Sequence, residues 1–150
     1  MTSDPFDLAR FVTAQAAVYA QVRQELEAGR KRSHWMWFVF PQLRGLGHSS
    51  MAQLYGLSGL GETQAYLQHS VLGPRLIECT VLVNRAAAGS IQDIFATPDD
   101  LKFRSCMTLF AALPATPPVF TGALTRYFGG IADPLTLEAL ERLEHSSDAE

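Results

Sequence analysis

The sequence predicts an all-α fold, arranged as one compact domain of several helices. Residue types that begin and end helices recur along the whole chain, and apolar residues recur at the helical period of about 3.6 residues. The length of 150 residues suits a single domain, which typically has about 100–200 residues. An α+β fold is the alternative, because the aromatic and β-branched run at residues 35–40 suits either a helical turn or a short buried strand.

The first predicted helix covers residues 5–28. Ser3-Asp4-Pro5 offers an N-cap followed by proline at the first helical position, and Gly29 is the expected C′ residue. Gln15 falls at the centre of the apolar face, where a buried amide needs partners. We predict a structural hydrogen bond for Gln15, with a pocket-lining role as the alternative. The apolar face consists of Leu8, Phe11, Val12, Tyr19, Val22 and Leu26.

Similar signals predict the later helices. In Thr97-Pro98-Asp99-Asp100, the threonine would cap a helix, the proline would take its first position, and the two acids would favour the helix dipole. Ser90 and Asp93 predict a short capped turn. The remaining predicted helices cover residues 51–56, 62–69, 74–88, 98–112, 118–128 and 134–143.

Composition excludes several classes of protein. Hydrophobic residues make up 47% of the chain, which excludes simple disorder, and no apolar run approaches the ~20 residues of a membrane span. No signal-peptide pattern is present, so we expect a cytoplasmic protein that does not contact the membrane, with Cys79 and Cys106 as reduced thiols. Its few, scattered histidines and cysteines predict no metal site, and we expect no cofactor. The domain is predicted to cover residues 5–143, followed by a frayed tail at 144–150.

Charge is distributed unevenly along the chain. Residues 28–61 hold four basic residues and no acid, so this segment is +4 and the rest of the chain is −7, for −3 overall. The acidic remainder disfavours a nucleic-acid partner, which needs a broad basic face. Because the basic stretch is interleaved with aromatic residues and glycines, we predict that residues 31–50 line a ligand site.

One half of this predicted site is the loop at residues 44–50. Its two glycines permit close backbone approach, and unpaired N–H groups at the start of the following helix, beside basic side chains, would suit a phosphate or carboxylate. The alternative is a glycine-rich connection with an ordinary serine cap. The residues predicted to bind the anion here are Arg44, Gly45, Gly47, His48, Ser49 and Ser50.

The other half is the segment at residues 31–37, which holds both tryptophans of the chain. Trp35 or Trp37 would stack on a ring while Lys31 holds an anion. His34, with an unperturbed pKa of about 6.5, would act as an acid or base. In the alternative interpretation the tryptophans are core residues and His34 is partly buried.

Two further residues complete the prediction. Lys102 lies at the edge of the core-facing arc of its helix, so we expect it to contact the ligand or, alternatively, to snorkel or pair with a carboxylate. Gln42 closes the aromatic run and would read an edge of the ligand. We find no nucleophile elbow and no phosphate-binding P-loop pattern.

Three sequence blocks are distinctive: GRKRSHWMWFVFPQLRGLGHSS at residues 29–50, HSVLGPRL at 69–76 and DDLKFRS at 99–105. They resemble a widespread family of small bacterial proteins, catalogued as a domain of unknown function and sometimes mislabelled calpastatin. The resemblance covers residues 5–143 and implies a compact, mostly helical domain; it implies no activity and no catalytic residue. The calpastatin label implies a protease inhibitor, but such inhibitors are disordered and polar, and this chain is predicted to be globular.

We therefore predict a soluble helical protein that binds an anionic, ring-bearing small molecule, a nucleotide or a sugar phosphate. If the protein is an enzyme, we expect hydrolysis of a glycosidic or phosphoester bond, with His34 in acid–base catalysis. The alternative is a protein-interaction module without chemistry, because Trp and Arg are typical interface anchors. The sequence determines neither the oligomeric state nor the ligand.

Overall fold

The structure, a computed structural model, describes residues 3–148 and the side chains of residues 3–145. This part of the chain contains ten helices and no β-strand. The predicted all-α fold is thereby confirmed, and residues 35–40 contribute a turn of helix instead of a strand. In chain order the helices are α1 (Ala9–Ala16), α2 (Tyr19–Glu27), α3 (Met36–Val39), α4 (Ser50–Tyr55), α5 (Leu60–Gln68), α6 (Leu72–Arg85), α7 (Ile91–Ile94), α8 (Asp99–Ala111), α9 (Val119–Phe128) and α10 (Pro134–Asp148).

The first predicted helix is divided into α1 and α2. α1 packs against α3, whereas α2 packs against α6. Because the two halves pack against different helices, the chain turns between them. The start also differs from the prediction. The Asp4 carboxylate accepts hydrogen bonds from the backbone N–H groups of Leu8 (2.7 Å) and Ala9 (3.0 Å). The helix therefore begins at Ala9 and not at residue 5.

Of the two helix starts predicted at Ser90 and at Thr97, the first is confirmed and the second differs from the prediction. The short capped turn predicted at Ser90 and Asp93 is present as a capping box at the start of α7. At α8, however, Pro98 occupies the N-cap position and no side chain caps the helix, so the predicted role of Thr97 was wrong.

The last two helices follow their predicted starts closely. α9 ends at Gly129, which adopts the left-handed conformation with φ 62° that suits glycine. α10 continues to Asp148, beyond the end predicted at residue 143. Residues 149 and 150 of the predicted frayed tail lie outside the described residues.

The central helix of the domain is α8. Eight of its 13 residues are buried, and it packs against α5, α7, α9 and α10. α8 contributes one ring to a cluster of four fully buried rings, in which neighbouring centroids are 5.1–6.3 Å apart, within the range of favourable aromatic pairs. The four rings belong to Trp35, Phe40, Phe95 and Phe103.

Gln15 is a buried structural amide, as expected. Its Nε2 donates to the backbone oxygen of Phe38 (2.6 Å) and to Tyr66 Oη (3.1 Å), and its Oε1 accepts from Arg75 Nη1 (3.3 Å). These bonds tie α1 to α3, α5 and α6, so one side chain satisfies polar groups from three other helices.

One backbone pairing positions the candidate site. Arg44 N donates to Leu57 O (2.7 Å) and Leu57 N donates to Gln42 O (2.9 Å), which makes an isolated parallel bridge between Leu43 and Leu57. The pairing holds the segment around Arg44 beside the start of α5.

Candidate functional site

Glu25 fixes the segment that carries His34 and Trp35. This carboxylate projects from α2 and is only 6% exposed, and it accepts five hydrogen bonds. Three reach Oε1 and two reach Oε2, which satisfies both oxygens. The donors are Arg32 N (2.7 Å), Ser33 N (3.0 Å), Trp35 Nε1 (3.0 Å), Ser33 Oγ (2.6 Å) and Gln21 Nε2 (3.0 Å).

The hydrogen bonds also keep Glu25 ionised. Burial alone would raise its pKa, but the bonds from Ser33 Oγ, Arg32 N and Trp35 Nε1 stabilise the carboxylate and lower the pKa to about 2. Glu25 is therefore charged at neutral pH. Because both of its oxygens accept hydrogen bonds from groups of the protein, it is not available as a proton acceptor for a substrate.

Trp35 is a core residue. Its indole is 1% exposed and packs against Phe40 and Phe95, so neither face is open to a ligand and the predicted stacking role must be corrected. The neighbouring His34 is exposed. The carboxylate that contacts the residues on either side of His34 is Glu25, and it already accepts hydrogen bonds from Arg32, Ser33 and Trp35.

The two predicted lysines share one carboxylate. Lys31 Nζ lies 2.8 Å from Asp99 Oδ2, and Lys102 Nζ lies 3.5 Å from Asp99 Oδ1. Lys102 Nζ also lies 4.8 Å from the centroid of the half-buried Trp37 ring, a cation–π distance. The structure thus brings Lys31, Trp37 and Lys102 together, but both lysine charges are already paired with Asp99 and Lys102 lies over the Trp37 ring.

The loop between α3 and α4 contains a glycine turn and a serine cap. Gly45 has φ 100°, a left-handed conformation that favours glycine. Ser49 Oγ accepts a hydrogen bond from Ala52 N (3.1 Å) and so caps α4, which consumes one of the donors predicted to hold an anion. The cavity that Gln42, Gly47 and Trp37 line measures about 10 Å³, room for about one water molecule. His48 and Ser50 are exposed.

Arg44 lies on a larger cleft. It is exposed, its Nη2 donates to Gly56 O (3.1 Å), and it lines a cleft of about 310 Å³ between the segment at residues 43–58 and α10. Arg142 lines the same cleft, together with Ser58. No acid is among the described residues that line it. Among the described residues, neither guanidinium is paired with a carboxylate.

A second cavity of about 520 Å³ adjoins this cleft, and Ser58 and Leu143 line both. Its floor includes Glu62, a buried carboxylate in the first turn of α5. Glu62 Oε2 accepts from Arg10 Nη2 (2.8 Å) and Oε1 accepts from Ser58 N (2.8 Å). The charge of Glu62 is therefore neutralised within the protein.

Sequence reasoning missed Arg142, Ser58 and Glu25. Arg142 belongs to a helix with several glutamates, which is typical of a solvated face, and only its position opposite Arg44 distinguishes it. Glu25 had a detectable signal, since it is an acid in the register of the apolar face that contains Val22 and Leu26.

The position of Arg44 depends on the absence of a side chain at Gly56. A Cβ there would lie 2.7 Å from Arg44 Cα and 2.8 Å from Ala52 O, so the backbone would have to move. We expect Gly56→Ala to lower the free energy of unfolding by about 1–3 kcal/mol, measured by urea denaturation. Gly61→Ala is the control, because its Cβ would meet only Phe6 Cζ at 3.7 Å. Equal stability of the two variants would contradict the tight packing.

The described residues offer other kinds of site little support. No group of three or more His, Cys, Asp or Glu side chains in this part of the chain is placed to hold a metal ion. Cys79 and Cys106 are free and buried, and burial raises the pKa of Cys79 to about 12 and that of Cys106 well above its usual value, so neither is an activated thiolate. None of the helices between residues 3 and 148 has the length and apolar character required to cross a membrane.

Comparison with known proteins identifies the family. A family model matches residues 5–140, most of the chain. The chain belongs to the family described as "Protein of unknown function (DUF1810)". This confirms the resemblance noted from the sequence blocks. No match was found among curated proteins.

A solved structure supports the fold of this DUF1810 chain. It is similar to the conserved hypothetical protein Rv1873 from Mycobacterium tuberculosis, known from a crystal structure, with 59% sequence identity and a TM-score of 0.90. The match covers 92% of this chain and 99% of that one. The helical domain described above is therefore shared with an experimentally determined relative.

Proposed function

We propose that this DUF1810 protein binds a small organic anion in the cleft that Arg44 and Arg142 line. The observation that carries the proposal is the pairing of two arginines on a cleft of about 310 Å³ with no acid among its described lining residues. A guanidinium presents several donors in a plane that matches a carboxylate or phosphate. Two of them on one cleft favour a ligand of this charge.

The proposal keeps Arg44 from the site predicted from the sequence and replaces the other predicted residues. Arg44 remains an anion-binding residue, now with Arg142 and Ser58 as neighbours in place of the loop before α4. Lys31 and Lys102 are left out, because Asp99 already pairs with both. Hydrolysis is not part of the proposal, since His34 does not line this cleft.

A thermal-shift panel tests the proposal. Nucleotides, sugar phosphates, aromatic carboxylates and inorganic phosphate would be added to the full chain at equal ionic strength. A ligand at about ten times its Kd should raise Tm by about 3–6 °C, because binding to the folded state alone stabilises it by mass action. A panel in which no anion raises Tm would overturn the proposal.

Arg142 gives the cleanest mutational prediction, because Arg44 also supports Gly56 through a hydrogen bond. Arg142→Gln should weaken binding of an active anion by about tenfold to a hundredfold, the usual cost of losing a hydrogen bond to a charged group. The Tm without ligand should stay within about 1 °C, since exposed substitutions have small effects. Isothermal titration calorimetry measures the loss.

Arg85→Gln is the matched control for this experiment, because Arg85 is exposed at the end of α6 and lines neither cavity beside α10. It should bind the anion as the wild type does. An equal loss of affinity in both variants would mean that the protein attracts anions by its general charge and not through this cleft.

A protein-interaction module is the second candidate. It is favoured by exposed apolar side chains at the starts of α8 and α10 and in the segment before α10, namely Leu101 (55%), Ile131 (62%) and Leu135 (63%), since exposed apolar residues in proximity are typical of interaction sites. The thermal-shift panel separates the two candidates, because an interaction module without a ligand would respond to no small anion.

A further inference from the structure

The cleft and its neighbouring cavity together form one groove along α10. Ser58 and Leu143 line both, so a ligand held at the arginines can extend past them without leaving the protein surface. The larger cavity, at about 520 Å³, lies within the range of small-molecule sites, about 300–1,000 Å³. This cavity determines what kind of anion the groove suits.

The walls of the larger cavity are mainly apolar or without side chains. Phe6, Leu60, Leu140 and Leu143 contribute hydrocarbon, and Phe6 and Leu143 remain 37% and 41% exposed. Gly59 and Gly61 leave space, because a Cβ at either position would meet only a flexible side chain at 3.7–3.8 Å. A hydrocarbon body placed here would cover apolar surface that water now contacts.

The two parts of the groove carry charges of opposite sign. Arg44 and Arg142 lie at the cleft end, and the exposed Glu144 lines the larger cavity. Glu62 also faces this cavity, but Arg10 neutralises it. A second anionic group that lay in the larger cavity would therefore approach Glu144 and be repelled by it.

From this arrangement, and resting on the proposed function, we infer that the groove binds an amphiphilic anion. One anionic head group, a phosphomonoester or a carboxylate, lies between Arg44 and Arg142, and an attached apolar ring or alkyl chain lies against Phe6, Leu60 and Leu143. Sugar phosphates, whose body is polar, and bisphosphates that would place a second anionic group in the larger cavity are poorer ligands.

A matched ligand series tests this inference by NMR titration of the ¹⁵N-labelled full chain, which measures weak binding as well as strong. The series contains inorganic phosphate, glycerol 3-phosphate, hexyl phosphate, 1,6-hexanediol bisphosphate and 1-hexanol. We expect hexyl phosphate to bind at least about tenfold more tightly than glycerol 3-phosphate, because each buried methylene contributes about fourfold. The Gly59 and Gly61 amide signals should shift with hexyl phosphate. The bisphosphate should bind less tightly than hexyl phosphate, because its second phosphate would lie in the larger cavity that Glu144 lines.

Two variants assign the gain to the apolar cavity. Gly61→Leu fills it and Phe6→Gln makes its wall polar, so each should remove most of the advantage of hexyl phosphate. Neither residue lines the arginine cleft, so each variant should leave the affinity for inorganic phosphate unchanged. Gly122→Leu is the matched control, because Gly122 is an exposed helical glycine that lines neither cavity and whose Cβ would have similar space. It should behave as the wild type.

The outcomes separate the two hypotheses. Equal affinity for hexyl phosphate and glycerol 3-phosphate, both weakened by Arg142→Gln, would overturn the amphiphile inference and leave the anion site standing. Binding of 1-hexanol as tight as that of hexyl phosphate, unaffected by Arg142→Gln, would overturn the proposed anion site. An advantage for hexyl phosphate that survives both Gly61→Leu and Phe6→Gln would place the apolar body outside this groove and overturn the inference.

Discussion

Phe40→Ala is expected to lower the free energy of unfolding by about 3–5 kcal/mol, the usual cost of truncating a buried phenylalanine. Phe40 is fully buried, and its ring lies 5.1 Å from that of Phe103, 5.9 Å from that of Phe95 and 6.2 Å from that of Trp35. Truncation removes the ring contacts with all three other members of the cluster and leaves a cavity beside α8. Urea denaturation with two spectroscopic probes measures the loss.

Leu54→Ala is the control for this prediction, because Leu54 is a large apolar residue that is 52% exposed. Its truncation should change the free energy of unfolding by less than about 1 kcal/mol. If Phe40→Ala cost no more than Leu54→Ala, the four-ring cluster would not be a main element of the core.

Glu25→Gln is expected to lower the free energy of unfolding by about 3 kcal/mol at neutral pH. The substitution keeps the shape of the side chain but removes the charge that five donors stabilise, and hydrogen bonds to charged groups are the stronger ones. It also turns an NH₂ group toward Ser33 or Gln21. Glu27→Gln is the control, since Glu27 is on the same helix but exposed, with Arg23 at 3.5 Å.

The same residue predicts an acid dependence of stability. The pKa of Glu25 is about 2 in the folded protein and about 4.3 for an unperturbed glutamate. Because the folded value is the lower one, its contribution is complete above about pH 4.3 and is lost as the pH falls towards 2. The difference in unfolding free energy between wild type and Glu25→Gln should therefore shrink over this range. A difference that stayed constant down to pH 2 would contradict the assignment.

The fold was predictable wherever the deciding interactions are local. The capping box at Ser90 and Asp93 and the glycine after α9 involve residues within five positions of each other, so the sequence pattern contains all the participants. The predictions failed where neighbours distant in sequence decide. The helix expected over residues 5–28 is divided because α1 and α2 pack against different helices.

The candidate site was less predictable than the fold. The excess of basic residues at 28–61 predicted Arg44 as a site residue, and Arg44 does line a cleft. It did not show that Asp99, far along the chain, pairs with both Lys31 and Lys102, or that Trp35 is sealed in the core with its indole N–H on Glu25.

The sequence by itself determined the helical class of this DUF1810 protein, the places where most helices begin and end, and the segment with excess positive charge. These properties depend on side-chain type and on spacings of a few residues. Only the tertiary structure decided which cations are neutralised and which face a cleft, because a charge remains available to a ligand only where no carboxylate from another helix reaches it. Packing over long chain separations controls that outcome, and it placed Arg142 opposite Arg44.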